Sequence, residues 1–126
     1  MKINEQTILD LYKSVAVIVL CEEKIKKHYK DDNMKTPMHM SEGDENCVSG
    51  VVECFRKDSY FFGYYRTHSL YLTLTGDPFS FFGELYGKKS GSNGGIAGSM
   101  HMSSIENNLL NTSAIVGSTI PLSLGA

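Results

Sequence analysis

Residues 59–66 read SYFFGYYR, a short aromatic run that ends in a single arginine. The run from Ser59 to Tyr65 is rich in residues that favour extended backbone, and it predicts a buried strand. A second apolar run, Ala114-Ile115-Val116, predicts another short strand. Helical patterns lie before and between the two runs. This alternation predicts an α/β fold with helices around a mostly parallel sheet.

Two helices are predicted before the aromatic strand. Residues 7–29 carry apolar side chains at helical spacing. Residues 41–57 begin with Ser41 and, three positions later, Asp44, a pattern similar to a capping box. Two cysteines of this second stretch lie seven positions apart, and they are predicted to be small buried side chains.

A third helix is predicted over residues 77–87, after the aromatic strand. Asp77 is a good N-cap, Pro78 suits the first helical position, and Gly87 suits the end. Residues 90–104 contain four glycines and predict a loop, and residues 107–112 predict an irregular continuation. A last short helix is expected to begin near Pro121.

The composition limits the class of protein. The chain has 126 residues, which predicts a single domain, and 41% are hydrophobic and 21% charged. The net charge of -2 and the absence of clustered basic residues argue against a nucleic-acid partner. The longest apolar run is too short for a membrane span. Residues 1–5 lack the features of a secretory signal.

The chain has three cysteines, and none lies in a CxxC pair, so neither a disulfide framework nor a zinc knuckle is expected. Reduced thiols favour a cytoplasmic location. No two histidines have the spacing of a metal site, and no metal ligands are predicted. His39 and His101 are each flanked by methionines in loops, where a histidine can act as an acid or base. Partly buried histidines that bond the backbone are the simpler interpretation.

Two features suggest anion binding. Arg66 follows the predicted strand, where α/β proteins place ligand contacts, and its guanidinium suits phosphate or carboxylate. A surface arginine or an internal ion pair is the plainer alternative. The glycine-rich loop could aim backbone amides at an anion, although it matches no nucleotide motif.

Five short segments occur in a fixed order. They are residues 35–45 (KTPMHMSEGDE), 65–68 (YRTH), 84–88 (ELYGK), 94–102 (GGIAGSMHM) and 114–121 (AIVGSTIP). In order and spacing they resemble the motifs "HLxxGQE", "(Y/H)RxHG", "ELxGK", "GKGGSMH" and "GIVGxxxP". These belong to the alpha subunits of thiamine-diphosphate-dependent 2-oxoacid dehydrogenases, a family that includes pyruvate, acetoin and branched-chain dehydrogenases.

The resemblance implies roles for particular residues. Tyr65 and Arg66 would meet thiamine diphosphate, with Arg66 at the diphosphate. The backbone around Ala114 would contact the aminopyrimidine ring, and Val116 would support the cofactor's bent shape. His39 would lie near the substrate. His101, on the loop over the thiazolium, would exchange protons around the 2-oxo group, and His68 is ranked below these two. Asp44, Ser69 and Ala114 stand where the motifs carry Gln, Gly and Gly.

The resemblance also implies partners. A small 2-oxoacid would be decarboxylated, and its acyl group would pass to a lipoyl-bearing acyltransferase. A beta subunit would supply a catalytic glutamate. Magnesium would be held by a "GDG" and a later Asn, which are expected beyond Ala126. Residues 1–126 are therefore expected to be the N-terminal portion of the alpha-subunit domain, an incomplete thiamine-diphosphate-binding fold truncated at its C-terminal side.

Two alternatives remain open from the sequence. One is a catalytically incompetent remnant or interaction module that keeps the fold without the chemistry. The other is a generic α/β domain that binds anions through Arg66 and the glycine-rich loop.

Overall fold

The computed structural model describes residues 4–126 and contains five α-helices and a two-stranded sheet in that range. The elements are α1 (Glu5–His28), α2 (Glu45–Glu53), β1 (Phe61–Tyr64), α3 (His68–Thr75), α4 (Pro78–Leu85), β2 (Leu109–Ser113) and α5 (Thr119–Gly125). The predicted α/β class is confirmed. Residues 1–3, part of the stretch read for a secretory signal, lie outside the described residues. None of the helices within residues 4–126 is both long and apolar enough to cross a membrane.

The two strands run parallel, as predicted. Phe61 pairs with Leu109 at one end and Tyr64 with Ser113 at the other. A parallel pair needs a long crossover, and here α3, α4 and the glycine-rich loop provide it. The strands also pack tightly at Gly63, where an added Cβ would lie 2.9 Å from the Thr112 methyl group. The parallel arrangement places the carboxyl ends of both strands at one edge.

The core lies between α1, the crossover helices and β2. Its most deeply buried apolar side chains come from α1, α3, α4, the following loop and β2, namely Ile18, Ile25, Leu72, Phe81, Leu85, Met102 and Leu109. Phe81 packs edge-on against His68 at 5.0 Å and stacks on Tyr71 at 6.1 Å between ring centroids. This aromatic contact fixes α4 against α3.

The prediction for the second strand was wrong in position. Residues 109–113 form β2, whereas 114–116 lie in the turn that follows it. Ile115 is 72% exposed and Val116 79% exposed. Pairing explains the shift, because β1 ends at Tyr64, opposite Ser113, and offers no partner further along. An apolar triplet alone did not show where the ladder stops.

The second helix is shorter than predicted, because Ser41 does not cap it. Helix α2 begins at Glu45 after Asp44, whose side chain makes no capping hydrogen bond. Ser41 is 1% exposed, and its hydroxyl accepts from the Ser69 N–H at 3.2 Å and donates to the Arg66 carbonyl at 3.4 Å. A tertiary contact therefore replaces the predicted cap.

The two cysteines in and just after α2 are also placed differently from the prediction. Cys47 and Cys54 are exposed, while Cys21 on α1 is buried. Burial raises the pKa of the Cys21 thiol to about 11, and Glu22 beside it adds to the shift. Of the three cysteines, only Cys21 behaves as a small buried hydrophobic residue.

Helix α3 (HSLYLTLT) was not predicted. Its threonines favour extended backbone as much as helix, and Thr67 in front of it makes no side-chain cap. Gly76 ends it in the left-handed region at φ 60°. The other helices agree with their predictions: α1 differs by a residue or two at its ends, Asp77 caps α4, and Pro121 lies in the first turn of α5.

Candidate functional site

The candidate site lies at the edge where both strands end. Tyr65 and Arg66 follow β1 directly, and residues 114–116 follow β2 directly. Because Tyr64 pairs with Ser113, the two stretches leave the sheet side by side. Open parallel sheets bind ligands outside the carboxyl ends of their strands. The structure thus brings together the two stretches that the sequence singled out.

Arg66 is exposed and held by its neighbours. Its Nη1 donates to the Met40 carbonyl at 2.7 Å, and its guanidinium carbon lies 5.7 Å from the centre of the Tyr65 ring. It is absent from the ion pairs formed within residues 4–126. A positioned guanidinium without a carboxylate partner can bind an anion through its remaining N–H groups.

His39 joins the same cluster. Its ring meets Tyr65 edge-on, with 5.2 Å between centroids. Its Nδ1 is buried and has no hydrogen-bond partner in the part of the chain that the structure describes. A buried polar atom without a partner costs about 1–3 kcal/mol, so it calls for an explanation. Because this atom is enclosed, a ligand at this edge would meet other atoms of the half-buried ring.

His101 lies beside β2. Its imidazole Nδ1 is 3.2 Å from the Thr112 carbonyl oxygen. With Ser113 and Ile115 it lines a cleft of about 370 Å³. The predicted residues therefore form two groups: His39, Tyr65 and Arg66 after β1, and His101 with the turn at Ala114 and Val116 after β2.

Sequence reasoning missed Glu84, which organises the glycine-rich loop. Its carboxylate is 1% exposed and accepts four backbone N–H groups at 2.7 to 2.9 Å. The donors are Asn93, Gly95, Ala97 and Gly98. The loop does aim amides at an anion, but that anion is the chain's own side chain. This finding removes the support for the loop as a generic anion site.

The electrostatics of Glu84 follow from these contacts. Burial acts to raise the pKa of its carboxyl, but the four backbone N–H groups outweigh burial and hold that pKa below its usual range. The loop also packs closely on Glu84, since a Cβ on Gly91 would lie 2.6 Å from the Glu84 backbone and carboxylate. An acidic residue on an apolar helix face before a glycine-rich loop is the signal that could have revealed this arrangement.

His68 also has a structural place. It is fully buried, with Nδ1 2.8 Å from Glu22 Oε1 and Nε2 2.7 Å from Ser99 Oγ. It is therefore set apart from the exposed edge that holds Arg66. Within the described residues, no group of three or more His, Cys, Asp or Glu is placed to hold a metal ion.

These features define an α/β protein with an exposed arginine and two histidines near the carboxyl edge of a parallel sheet. The chain belongs to the dehydrogenase E1 component family, whose family model matches residues 13–126. The resemblance noted from its five motifs is thereby confirmed.

Alpha subunits of such enzymes are among its relatives. The chain is 26% identical over 98% of its length to the alpha subunit of an acetoin:2,6-dichlorophenolindophenol oxidoreductase of Cupriavidus necator. It is 28% identical over 97% of its length to a mitochondrial pyruvate dehydrogenase E1 alpha-1 subunit of Arabidopsis thaliana, and 30% identical over 98% to a chloroplastic alpha-3 subunit of that plant. The chain spans 29–37% of the length of these three relatives.

Proposed function

We propose that these residues form part of the alpha subunit of a thiamine-diphosphate-dependent dehydrogenase. The enzyme would act on a 2-oxoacid or a related substrate of the pyruvate or acetoin type. The chain would help to bind cofactor and substrate for oxidative decarboxylation, and the acyl group would pass to a lipoyl group. One observation carries the proposal: the stretches after β1 and β2 leave the sheet side by side, with Arg66 free of any ion pair within residues 4–126.

The residues at this edge fit the cofactor. When bound, thiamine diphosphate supplies the nucleophilic carbon and the electron sink for decarboxylation. Arg66 has N–H donors for a diphosphate beyond the one used on Met40. Tyr65 presents a half-buried ring and hydroxyl beside it. The backbone at Ala114 and the apolar side chain of Val116 would meet the aminopyrimidine end.

The two histidines would handle substrate and protons. Imidazole can accept and donate a proton within one catalytic cycle. His39 is half-buried and packs against Tyr65, and the exposed part of its ring would face the substrate. His101 carries an exposed ring that its Nδ1 contact with Thr112 orients. These two residues are the catalytic candidates on this chain.

The proposed assembly requires groups from other sequences. Magnesium would be held by residues outside these 126. A beta subunit would supply the glutamate that activates the aminopyrimidine, and a lipoyl-bearing acyltransferase would receive the acyl group. The cytoplasmic location remains a prediction.

Calorimetric titration of thiamine diphosphate and Mg²⁺ into the complete alpha–beta complex tests the proposal. Arg66→Gln should weaken binding by at least about tenfold, because a charge-assisted hydrogen bond contributes about 1.5–3 kcal/mol. Arg56→Gln is the matched control: Arg56 is an exposed arginine before β1 that pairs with Asp58. It should leave the affinity unchanged.

Two results would contradict the proposal. Unaltered affinity in Arg66→Gln would remove the arginine from the site. A wild-type complex that does not bind the cofactor would overturn the enzyme proposal in favour of a non-catalytic interaction module.

A further inference from the structure

A buried hydrogen-bonded network begins at Glu22 on α1. This carboxylate is only 3% exposed. Its Oε1 accepts from the Ser41 backbone N–H at 3.2 Å and lies 2.8 Å from His68 Nδ1. A carboxylate inside a protein needs partners; here Oε1 makes both contacts, and Oε2 is buried without a hydrogen-bond partner among the described residues. Glu22 therefore ties α1 to the segment that carries His39 and to the first residue of α3.

His68 extends the network to the glycine-rich loop. Its Nε2 lies 2.7 Å from the hydroxyl oxygen of Ser99, and both residues are fully buried. The imidazole thus bridges the two residues, with one ring nitrogen directed at Glu22 and the other at Ser99. The backbone N–H of Ser99 also donates to Thr36 Oγ1 at 3.1 Å. Each polar contact fixes the loop where it enters the core.

The order carboxylate–imidazole–hydroxyl has the same connectivity as a hydrolytic triad. Ser99 and His68 are both 0% exposed, so no substrate carbonyl can reach the hydroxyl. A nucleophile must be accessible to its substrate, and this one is enclosed. The network therefore positions other groups and does not attack a substrate itself.

Its two ends lie close to the catalytic candidates. Ser41 is two residues after His39, and Ser99 is two residues before His101. The Ser41 hydroxyl also donates to the Arg66 carbonyl. We infer that Glu22, His68 and Ser99 are positioning residues that hold the His39 and His101 segments in one fixed relation. This inference rests on the proposed function of those two histidines.

Steady-state kinetics of the complete alpha–beta complex, with whichever of pyruvate and acetoin the wild type turns over, test the inference. Ser99→Ala should lower kcat about tenfold, because misplacement of a catalytic group slows chemistry strongly, while KM changes less than about twofold. Ser49→Ala is the matched control. Ser49 is 1% exposed and shares hydroxyl contacts with Ser14 and Thr73 at 3.2 Å, away from both loops.

Ser49→Ala should lose thermal stability to a similar extent but keep kcat within about twofold of the wild type. Equal losses of kcat in the two variants would overturn the inference, because the effect would then follow stability alone.

Hydrogen–deuterium exchange of the same complexes separates this inference from the proposed function. If the wild-type complex turns over neither pyruvate nor acetoin, the proposed function fails, yet the network can still be judged. Ser99→Ala should speed exchange in both segments, 38–42 and 98–102, and Ser49→Ala in neither. Faster exchange in 98–102 alone would show that the two segments are not coupled.

Discussion

At the scale of single residues, buried carboxylates shape the parts of this chain that carry the candidate site. Glu84 gathers four backbone N–H groups of the glycine-rich loop, and Glu22 joins the Ser41 segment to His68. Glu22 does not stand out in the sequence, because glutamate in a helix usually marks a solvated face. Glu84 begins the segment ELYGK, but that motif does not reveal its partners. Their importance arises from partners that lie far away in sequence or in an irregular loop.

Glu84→Gln should destabilise the chain by about 3 kcal/mol at pH 7, because an amide NH₂ would face two N–H donors. The folded-state pKa of Glu84 is depressed, so its contribution is present above the unfolded-state pKa and lost as pH falls through the folded value. The stability difference should therefore shrink below about pH 4.

Denaturant unfolding of both proteins at several pH values measures this difference. Glu53→Gln, on an exposed residue at the end of α2, should show almost no difference at any pH. If the difference in free energy of unfolding between wild type and Glu84→Gln stays unchanged in acid, the negative charge assigned to Glu84 is contradicted.

At the scale of elements, local signals predicted some boundaries and missed others. The Asp77-Pro78 start of α4 was predicted correctly because the cap is local: Asp77 Oδ1 accepts from the N–H groups of Phe79 and Ser80 at 2.9 and 3.1 Å. Ser41 offered a similar pattern but is used in a tertiary contact. The end of β2 depends on β1, which local sequence does not specify.

Asp77→Ala should lower stability by about 1 kcal/mol, the usual value of an N-cap. Asp44→Ala is the paired control, because Asp44 precedes α2 without a capping hydrogen bond. Asp44→Ala should lower the free energy of unfolding by less than about 0.5 kcal/mol. Thermal or denaturant unfolding compares the two, and equal losses would show that the Asp77 cap contributes nothing specific.

At the scale of the whole molecule, the parallel pairing of β1 and β2 makes the candidate site. Residues separated by some fifty positions become neighbours because a parallel pair exposes both carboxyl ends at one edge. The α/β class and this edge followed from the sequence pattern and the motif resemblance. The contact of His101 with the Thr112 backbone did not, because it depends on how the glycine-rich loop packs against β2.

The central claim is that thiamine diphosphate binds across this edge. A crystal structure of the complete alpha–beta complex with thiamine diphosphate and Mg²⁺ tests it most directly. The diphosphate should lie within hydrogen-bonding distance of the Arg66 guanidinium, with the aminopyrimidine ring against residues 114–116. A cofactor bound elsewhere, with Arg66 and residues 114–116 both out of contact, would contradict the account.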